Sequence, residues 1–204
     1  MRQARPATED EVILAFLRGE LDSPRFGDAI RDALETGGGI PLVSCADTAS
    51  LQENEARRRA LASTRGWATG AGLFAGFPAD VTWTHGLLEH EELDRVRFID
   101  YSYWVELSGG SRWPVEVVPT LRAGRLPAWM KDLGTDWCFQ LAQTVGERSA
   151  LDDLIIVGTP DLDRLVVLEG HARLTALFVA GLQHELDVSA YVGTSANIES
   201  WALF

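Results

Sequence analysis

Residues 164–182, RLVVLEGHARLTALFVAGL, decide the fold that the sequence predicts. The apolar run 165–168 contains β-branched side chains and predicts a buried strand. From Arg173 onward, apolar residues recur at helical spacing, namely Leu174, Leu177, Phe178 and Leu182. A strand therefore changes into a helix across residues 169–172, Glu-Gly-His-Ala.

The junction between this strand and this helix is a candidate anion-binding site. Free backbone N–H groups and the helix dipole attract anions at a helix N-terminus. Gly170 allows a bound group to approach the backbone closely, and His171 and Arg173 add hydrogen-bond donors beside it. The pattern alone is equally typical of an ordinary strand-to-helix turn, so both interpretations stay open.

The sequence Gly170-His171-x-Arg173, after an apolar strand that ends in Glu169, resembles the signature turn of the ParB/sulfiredoxin superfamily. Residues 143–182 carry the resemblance, and they include a second predicted strand at 154–157. It implies an α/β (α+β) fold with a small mixed sheet, in which a strand-turn-helix GHxR motif binds nucleotide phosphates.

Among members of this superfamily, the motif is most similar to that of small-molecule kinases. It implies a nucleotide-dependent phosphotransferase that acts on a hydroxyl of a small molecule, with ATP or another nucleotide and Mg²⁺ as cofactors. The implied nucleotide-binding residues are Gly170, His171, Arg173 and Thr175. Glu169 and His171 are implied as catalytic residues, and Glu169 also as a ligand of Mg²⁺.

Residues 88–93, Leu-Glu-His-Glu-Glu-Leu, look like the His-Glu pair that supplies a base in these kinases. The resemblance makes Glu91 the implied catalytic base. A carboxylate beside a substrate hydroxyl can take its proton as the phosphoryl group transfers. The same residues equally predict the acidic first turn of a helix.

Residues 101–112 predict an aromatic strand that ends in a Ser-Gly-Gly-Ser turn. The turn is either a hairpin tip or a substrate loop. As a substrate loop, Ser108 would donate a hydrogen bond, Arg112 would bind a carboxylate or phosphate, and Trp104 would form an apolar wall. We expect this loop to face the same cleft as Gly170.

The predicted organisation is an N-terminal helical extension, residues 1–78, followed by a ParB/sulfiredoxin-like core, residues 79–204, with an insertion at about 100–142. Residues 1–8 are expected to be disordered. Helices are predicted at 8–18, 24–35, 51–63 and 137–145, a helix and turn at 119–133, a polar helix-compatible stretch at 144–152 and a strand at 186–192. The arginine triplet 57–59 is predicted to be a solvated face, and the glycine-rich segment 65–78 a loop closed by aromatic packing.

The composition limits the partners of this chain. Its net charge is −12, with 30 acidic and 18 basic residues, so it repels polyanions on average, and nucleic-acid or anionic-membrane binding is disfavoured. Cys45 and Cys138 fit no zinc or disulfide pattern and are expected to be buried thiols. Without a signal peptide or membrane span, we expect a cytoplasmic protein whose partner is a small-molecule substrate. A homodimer is left open.

The alternative function is a non-enzymatic ParB-like nucleotide-binding or DNA-associated regulatory protein. The acidic charge and the short chain beyond residue 182 disfavour the DNA-associated version, because a downstream helix-turn-helix domain would need more residues. A sulfiredoxin-like reductase is also disfavoured, since that chemistry needs a cysteine where this chain has His171.

Overall fold

The computed structural model of this chain describes residues 1–124, 136–147, 151 and 153–204. Within them the fold is mixed α/β, with helices packed on a six-stranded mixed sheet, which confirms the predicted class at that level. The strands are β1 (Arg2–Ala7), β2 (Thr82–Leu87), β3 (Val96–Phe98), β4 (Leu154–Gly158), β5 (Leu165–Glu169) and β6 (Ser189–Thr194). The helices are α1 (Glu9–Glu20), α2 (Gly27–Glu35), α3 (Pro41–Ser44), α4 (Leu51–Arg65), α5 (His90–Leu93), α6 (Ser102–Leu107), α7 (Pro114–Arg122), α8 (Asp136–Glu147) and α9 (His171–Ala180).

The strand order is β1-β2-β6-β4-β5-β3. The pairs β3–β5 and β4–β6 are parallel, whereas β1–β2, β2–β6 and β4–β5 are antiparallel. All residues of β4 and β5 are buried, as expected for central strands covered on both faces. The two strands predicted around the signature turn are therefore confirmed, whereas β6 begins three residues later than the sequence predicted.

The sheet separates two hydrophobic cores, and β4 contributes to both because successive side chains of a strand point to opposite faces. Ile155 and Val157 join the core formed with α1, α2 and α4. Leu154 and Ile156 join the core formed with α7, α8 and α9. Full burial of such a side chain contributes about 1.5 to 3 kcal/mol to folding, so both helical layers hold the central strands in place.

The helices predicted at 8–18, 24–35, 51–63 and 137–145 are confirmed as α1, α2, α4 and α8. Of the predicted helix and turn at 119–133, residues 125–133 lie outside the described residues, as do 148–150 and 152 of the stretch 144–152. Among the described ranges, no helix is both long and apolar enough to cross a membrane. The cytoplasmic location stays a prediction.

The expectation that residues 1–8 are disordered was wrong, because residues 2–7 form β1 at the edge of the sheet. β1 pairs with β2 in antiparallel orientation, with Ala7 opposite Trp83, although most of its side chains are exposed. Exposed polar side chains gave no apolar pattern from which to predict it. Thr8 then caps α1 in a capping box with Glu11, as its position before three acids predicted.

The arginine triplet was predicted to be a solvated face, and this was wrong for Arg57. Its side chain is fully buried and donates hydrogen bonds to the carbonyls of Leu42 and Asp47, while Glu53 lies 3.0 Å away as an ion partner. Arg59 is exposed as predicted. A buried arginine is tolerated here because carbonyl and carboxylate acceptors surround it.

The glycine-rich segment 65–78 is a loop closed by aromatic packing, as predicted. Phe74 contacts Trp67 and Phe77, with ring centroids 4.7 and 5.3 Å away, and Phe77 contacts Trp201 at 5.2 Å. These edge-to-face contacts tie the loop to the end of the chain.

The two cysteines differ in exposure. Cys138 is buried as expected, and burial raises the pKa of its thiol to about 12, so it is not a nucleophile near neutral pH. Cys45 is exposed, which contradicts the expectation that both thiols are buried.

Candidate functional site

The turn between β5 and α9 requires glycine at position 170. Gly170 has a left-handed backbone, with φ of 97°, which side-chain-bearing residues adopt at a cost. A Cβ atom there would also lie 2.6 Å from Cδ2 of Leu154, so the space is closed as well. Among the described residues, no side chain caps the N-terminus of α9. The turn therefore brings the backbone close to β4 and leaves the first N–H groups of the helix without a side-chain acceptor.

Glu169 and Arg173 form an ion pair across this turn. Arg173 donates from Nη2 to Oε2 of Glu169 at 2.6 Å and to the carbonyl of Asp153 at 3.2 Å. The Glu169 residue is only 9% exposed. Burial raises the pKa of Glu169 to about 7, although the charges of Arg173 and Arg65 act in the opposite direction. This carboxyl group can therefore exchange a proton near neutral pH.

A second buried ion pair comes from the N-terminal helices and joins the first. Glu20, the last residue of α1, lies 3.3 Å from Nε of Arg65 at the end of α4. Phe26 stacks on the Arg65 guanidinium, whose carbon is 3.8 Å from the ring centroid. Burial raises the pKa of Glu20 and lowers that of Arg65. Because the charges of both residues also shift the pKa of Glu169, the two pairs form one electrostatic cluster.

His171 is held by aromatic stacking. Its ring lies nearly parallel to those of Trp104 and Phe98, with centroids 5.0 and 5.9 Å away. Burial, together with the positive charges of Arg65 and Arg173, lowers the pKa of His171 to about 3. The imidazole is therefore neutral at pH 7 and can present either an N–H donor or an acceptor at Nε2, depending on its tautomer.

Three buried side-chain nitrogens in this cluster find no hydrogen-bond partner in the part of the chain that the structure describes. They are Nε of Arg65, Nε2 of His171 and Nε of Arg173. Arg65 Nε lies near Glu20 but without the alignment of a hydrogen bond. Each unsatisfied buried group costs about 1 to 3 kcal/mol, so an acceptor placed beside these nitrogens would stabilise the cluster. Guanidinium N–H groups only donate, which selects a molecule rich in acceptor oxygens.

The other predicted nucleotide ligand, Thr175, is placed differently. Its side chain is fully buried, and its hydroxyl donates to the carbonyl of His171 at 2.8 Å within α9. This hydrogen bond is the ordinary one that threonine makes to the preceding helical turn. Thr175 therefore supports the helix below the site, and its role as a direct ligand stays a prediction.

The segment predicted as an aromatic strand is instead a helix, α6, followed by a glycine turn. The strand prediction was wrong because the side chains follow a helical face: Trp104 packs on Phe98 and Leu107 is fully buried. Trp104 does reach the cluster, through its stacking on His171. Ser108 is buried, donates to the Trp104 carbonyl at 2.7 Å and accepts from the Arg112 N–H at 2.9 Å, so its hydroxyl serves the turn itself.

Arg112 binds backbone carbonyls with all of its donor nitrogens. Nε donates to Phe98, Nη1 to Phe204 and Nη2 to Leu203, at 2.8, 2.8 and 3.3 Å. The side chain fastens the C-terminal residues to β3. A substrate-binding role for Arg112 stays a prediction that these contacts do not support.

Glu91 lies in the first turn of α5, as the structural interpretation of its motif predicted. Its side chain is exposed, and its backbone carbonyl accepts a hydrogen bond from Nε of Arg95 at 2.9 Å. No hydrogen bond or ion pair among the described residues joins the Glu91 carboxylate to the Gly170 turn. Its role as the base stays a prediction.

The surroundings of Glu169 favour an arginine partner over a metal ion. Its carboxylate already binds Arg173, and the nearby charge of Arg65 repels a cation. Within the described residues, no group of three or more histidine, cysteine, aspartate or glutamate side chains is placed to hold a metal. The role of Glu169 as a ligand of Mg²⁺ stays a prediction that these contacts do not support.

Sequence reasoning missed the contribution of the N-terminal helices to the site. Glu20 and Arg65 belong to the segment predicted as a separate extension, and Gly19 lies where α1 approaches the Glu169–Arg173 pair. A glycine directly before a glutamate at the end of an amphipathic helix was the available signal. This signal could not be interpreted from the sequence, because the contact between α1 and the Glu169–Arg173 pair depends on the tertiary fold.

Comparisons with protein-family models, with curated proteins and with solved structures found no match to this chain. The functional interpretation therefore depends on the residues of the cluster and on the resemblance of the turn.

Proposed function

We propose that the chain is a nucleotide-dependent phosphotransferase acting on a hydroxyl of a small molecule, and that the cluster around Gly170 binds the nucleotide phosphates. The observation that carries the proposal is the set of unsatisfied nitrogens on Arg65, His171 and Arg173 beside an uncapped helix N-terminus. Phosphate oxygens are strong acceptors that satisfy guanidinium, imidazole and backbone N–H donors together. The similarity of the turn to kinases of the ParB/sulfiredoxin superfamily supports the same assignment.

Each residue of the cluster has a distinct role in this proposal. Arg173 and Arg65 donate to phosphate oxygens, and His171 donates from Nε2 as a neutral imidazole. Glu169 is the acid paired with Arg173, and its pKa of about 7 suits a group that takes the hydroxyl proton. A bound nucleotide supplies the phosphoryl group that is transferred. An accompanying Mg²⁺ ion would neutralise phosphate charge and would need few protein ligands.

The alternative is a non-enzymatic nucleotide-binding regulatory protein. One observation favours it: the cluster provides donors for phosphates, whereas Glu91, the base implied by the resemblance, is exposed and makes no contact with the cluster. The two functions share the same phosphate site. They differ in whether a phosphoryl group leaves the nucleotide.

A thermal-shift panel of ATP, ADP, GTP and CTP, each with and without Mg²⁺, tests the shared part. A nucleotide at one hundred times its dissociation constant stabilises the protein by about 2.7 kcal/mol, a clear rise in melting temperature. No shift with any nucleotide would contradict both functions.

A phosphate-transfer assay on hydroxylated acceptors separates the two functions. We expect Glu169→Gln to retain nucleotide binding and to slow transfer by about 10²-fold or more, because the amide cannot accept the proton. Arg59→Ala, which removes an exposed arginine of α4, is the matched control and should transfer like the wild type. Nucleotide binding without transfer to any acceptor would favour the regulatory function.

A further inference from the structure

A cavity of about 190 Å³ lies beside the phosphate cluster, between α1 and the residue that precedes β4. Its lining residues are Ala15, Arg18, Gly19, Asp153 and Arg173. The volume corresponds to about six water molecules and is below the roughly 300 to 1,000 Å³ of sites for drug-sized ligands. The cavity therefore suits a molecule of a few carbon atoms and is too small for a nucleotide.

Two guanidinium groups face this cavity. Arg173 also belongs to the phosphate cluster, so the cavity and the cluster share a wall. Arg18 is exposed and donates from Nε to the carbonyl of Val43 at 3.2 Å, which orients its guanidinium. Among the described residues its Nη groups make no hydrogen bond. A guanidinium held in this way binds a carboxylate with two parallel hydrogen bonds.

Asp153 places one carboxylate on the same wall. Its Oδ1 lies 3.0 Å from Nε2 of His85, and the same nitrogen lies 3.1 Å from the hydroxyl oxygen of Ser189. The three residues are not a nucleophilic triad, because a triad histidine uses its two nitrogens for separate partners. His85 instead holds the Asp153 side chain. A carboxylate there repels a simple anion but accepts a hydrogen bond from a hydroxyl group.

Gly19 keeps the cavity next to the ion pair. In a helix, glycine is less favourable than alanine by about 1 kcal/mol, so its presence needs a reason. A Cβ at this position would lie 2.8 Å from Oε1 of Glu169 and 3.0 Å from the Arg173 guanidinium nitrogens. The bare backbone thus lets α1 contact the pair.

We propose that this cavity binds a small hydroxy acid, with its carboxylate on Arg18 and Arg173 and its hydroxyl on Asp153. The inference rests on the proposed function in one respect: Arg173, which would hold the carboxylate of the hydroxy acid, also belongs to the proposed phosphate cluster. The binding itself requires no nucleotide and can be measured alone.

Calorimetric titrations of the full chain with glycolate, glycerate, propionate, glycerol and inorganic phosphate test the ligand class. We expect glycerate and glycolate to bind, and propionate and glycerol to bind at least about tenfold more weakly, since each lacks one of the two charge-assisted contacts. Binding of inorganic phosphate that Arg18→Ala weakens as much as it weakens glycerate binding would overturn the ligand class, because Arg18 lines the cavity and is outside the phosphate cluster. Equal binding of propionate and glycerate would overturn the role of Asp153.

Three variants test the location. Arg18→Ala should weaken glycerate binding by about 10- to 100-fold, and Ala15→Leu should abolish it by filling the cavity. Asp153→Ala should remove the preference for glycerate over propionate. Arg59→Ala is the control and should bind glycerate like the wild type. Unchanged affinity in both Arg18→Ala and Ala15→Leu would overturn the site.

Titration of ATP into the wild type and the first two variants separates this inference from the proposed function. Arg18→Ala and Ala15→Leu should retain the affinity for ATP, because neither residue belongs to the phosphate cluster. ATP binding without hydroxy-acid binding would overturn the cavity proposal and leave the phosphotransferase proposal standing. Hydroxy-acid binding without nucleotide binding would overturn the phosphotransferase proposal and leave the cavity proposal standing.

Discussion

Two turns of this chain combine glycine with an arginine, and the two arginines have opposite surroundings. In the turn at 108–112, Arg112 donates to three backbone carbonyls and each guanidinium nitrogen has a partner. In the turn at 169–173, Arg173 pairs with one buried carboxylate and one carbonyl, while its Nε has no partner among the described residues. Both side chains are mostly buried, so exposure does not distinguish them.

This difference makes Arg173 the candidate ligand-binding arginine of the two turns. One unsatisfied nitrogen is not sufficient by itself, because the structural Arg57 also has an Nε without a partner among the described residues. Burial of a guanidinium costs little free energy when every donor has an acceptor, and Arg112 meets that condition within the protein. Arg173 meets that condition only in part, because its Nε has no hydrogen-bond partner among the described residues. Two neighbouring nitrogens, Nε of Arg65 and Nε2 of His171, also lack a partner there. These donors are the observation on which the proposed phosphate site rests.

The largest expected effect is a loss of stability when Arg112 is replaced. Arg112→Ala removes three hydrogen bonds and leaves partly buried carbonyls unsatisfied, so we expect the free energy of unfolding to fall by about 3 kcal/mol. Urea denaturation measures this change, with Arg59→Ala as a control that should stay within about 0.5 kcal/mol of the wild type. A loss below about 1 kcal/mol would show that Arg112 does not fasten the C-terminal residues.

The next effect compares the glycines of the two turns. Gly170 and Gly109 both have left-handed φ, but only at Gly170 would a Cβ meet a neighbour, at 2.6 Å from Leu154. We expect Gly109→Ala to cost about 1 kcal/mol and Gly170→Ala about 2 kcal/mol or more, because backbone strain acts in both and steric overlap only in the second. Equal losses in urea denaturation would show that Leu154 moves aside freely.

The sequence predicted the two strands, the glycine and the helix of the signature turn because each depends on local pattern. The runs 154–157 and 165–168 could only be buried strands, and Gly170 interrupts the pattern where the turn occurs. By contrast, Arg112 and Arg173 have similar local sequences. Their acceptors come from distant parts of the chain, Phe204 for Arg112 and Asp153 for Arg173, so only the fold distinguishes them.

The third prediction concerns the pH dependence of stability at His171. Its pKa is lowered in the folded state, so the unfolded chain binds the proton more readily and stability is lost as pH falls below about 6.5. His171→Phe keeps an aromatic ring on Trp104 but cannot ionise. Between pH 8 and pH 5.5, we expect the wild type to lose about 1.4 kcal/mol relative to this variant. Parallel stability curves in urea denaturation would contradict the neutral buried imidazole.

A pH effect of opposite sign is expected at Glu169. Its pKa is raised in the folded state, so the folded protein holds the proton more tightly, and stability is lost as pH rises from about 4.5 to about 7. The wild type should therefore lose stability relative to Glu169→Gln across that window, with Arg173 limiting the loss. A wild type that gains stability relative to the variant over the same window would show that the ion pair outweighs burial.

The most direct test of the phosphate site is calorimetric titration of ATP, with Mg²⁺, into the wild type, Arg173→Ala and Arg59→Ala. A charge-assisted hydrogen bond to phosphate contributes about 1.5 to 3 kcal/mol, so Arg173→Ala should bind ATP about 10- to 100-fold more weakly. Arg59→Ala should bind like the wild type, and melting curves should show that both variants are folded. Equal affinity of Arg173→Ala and the wild type, or no binding to the wild type, would contradict a phosphate site at Gly170.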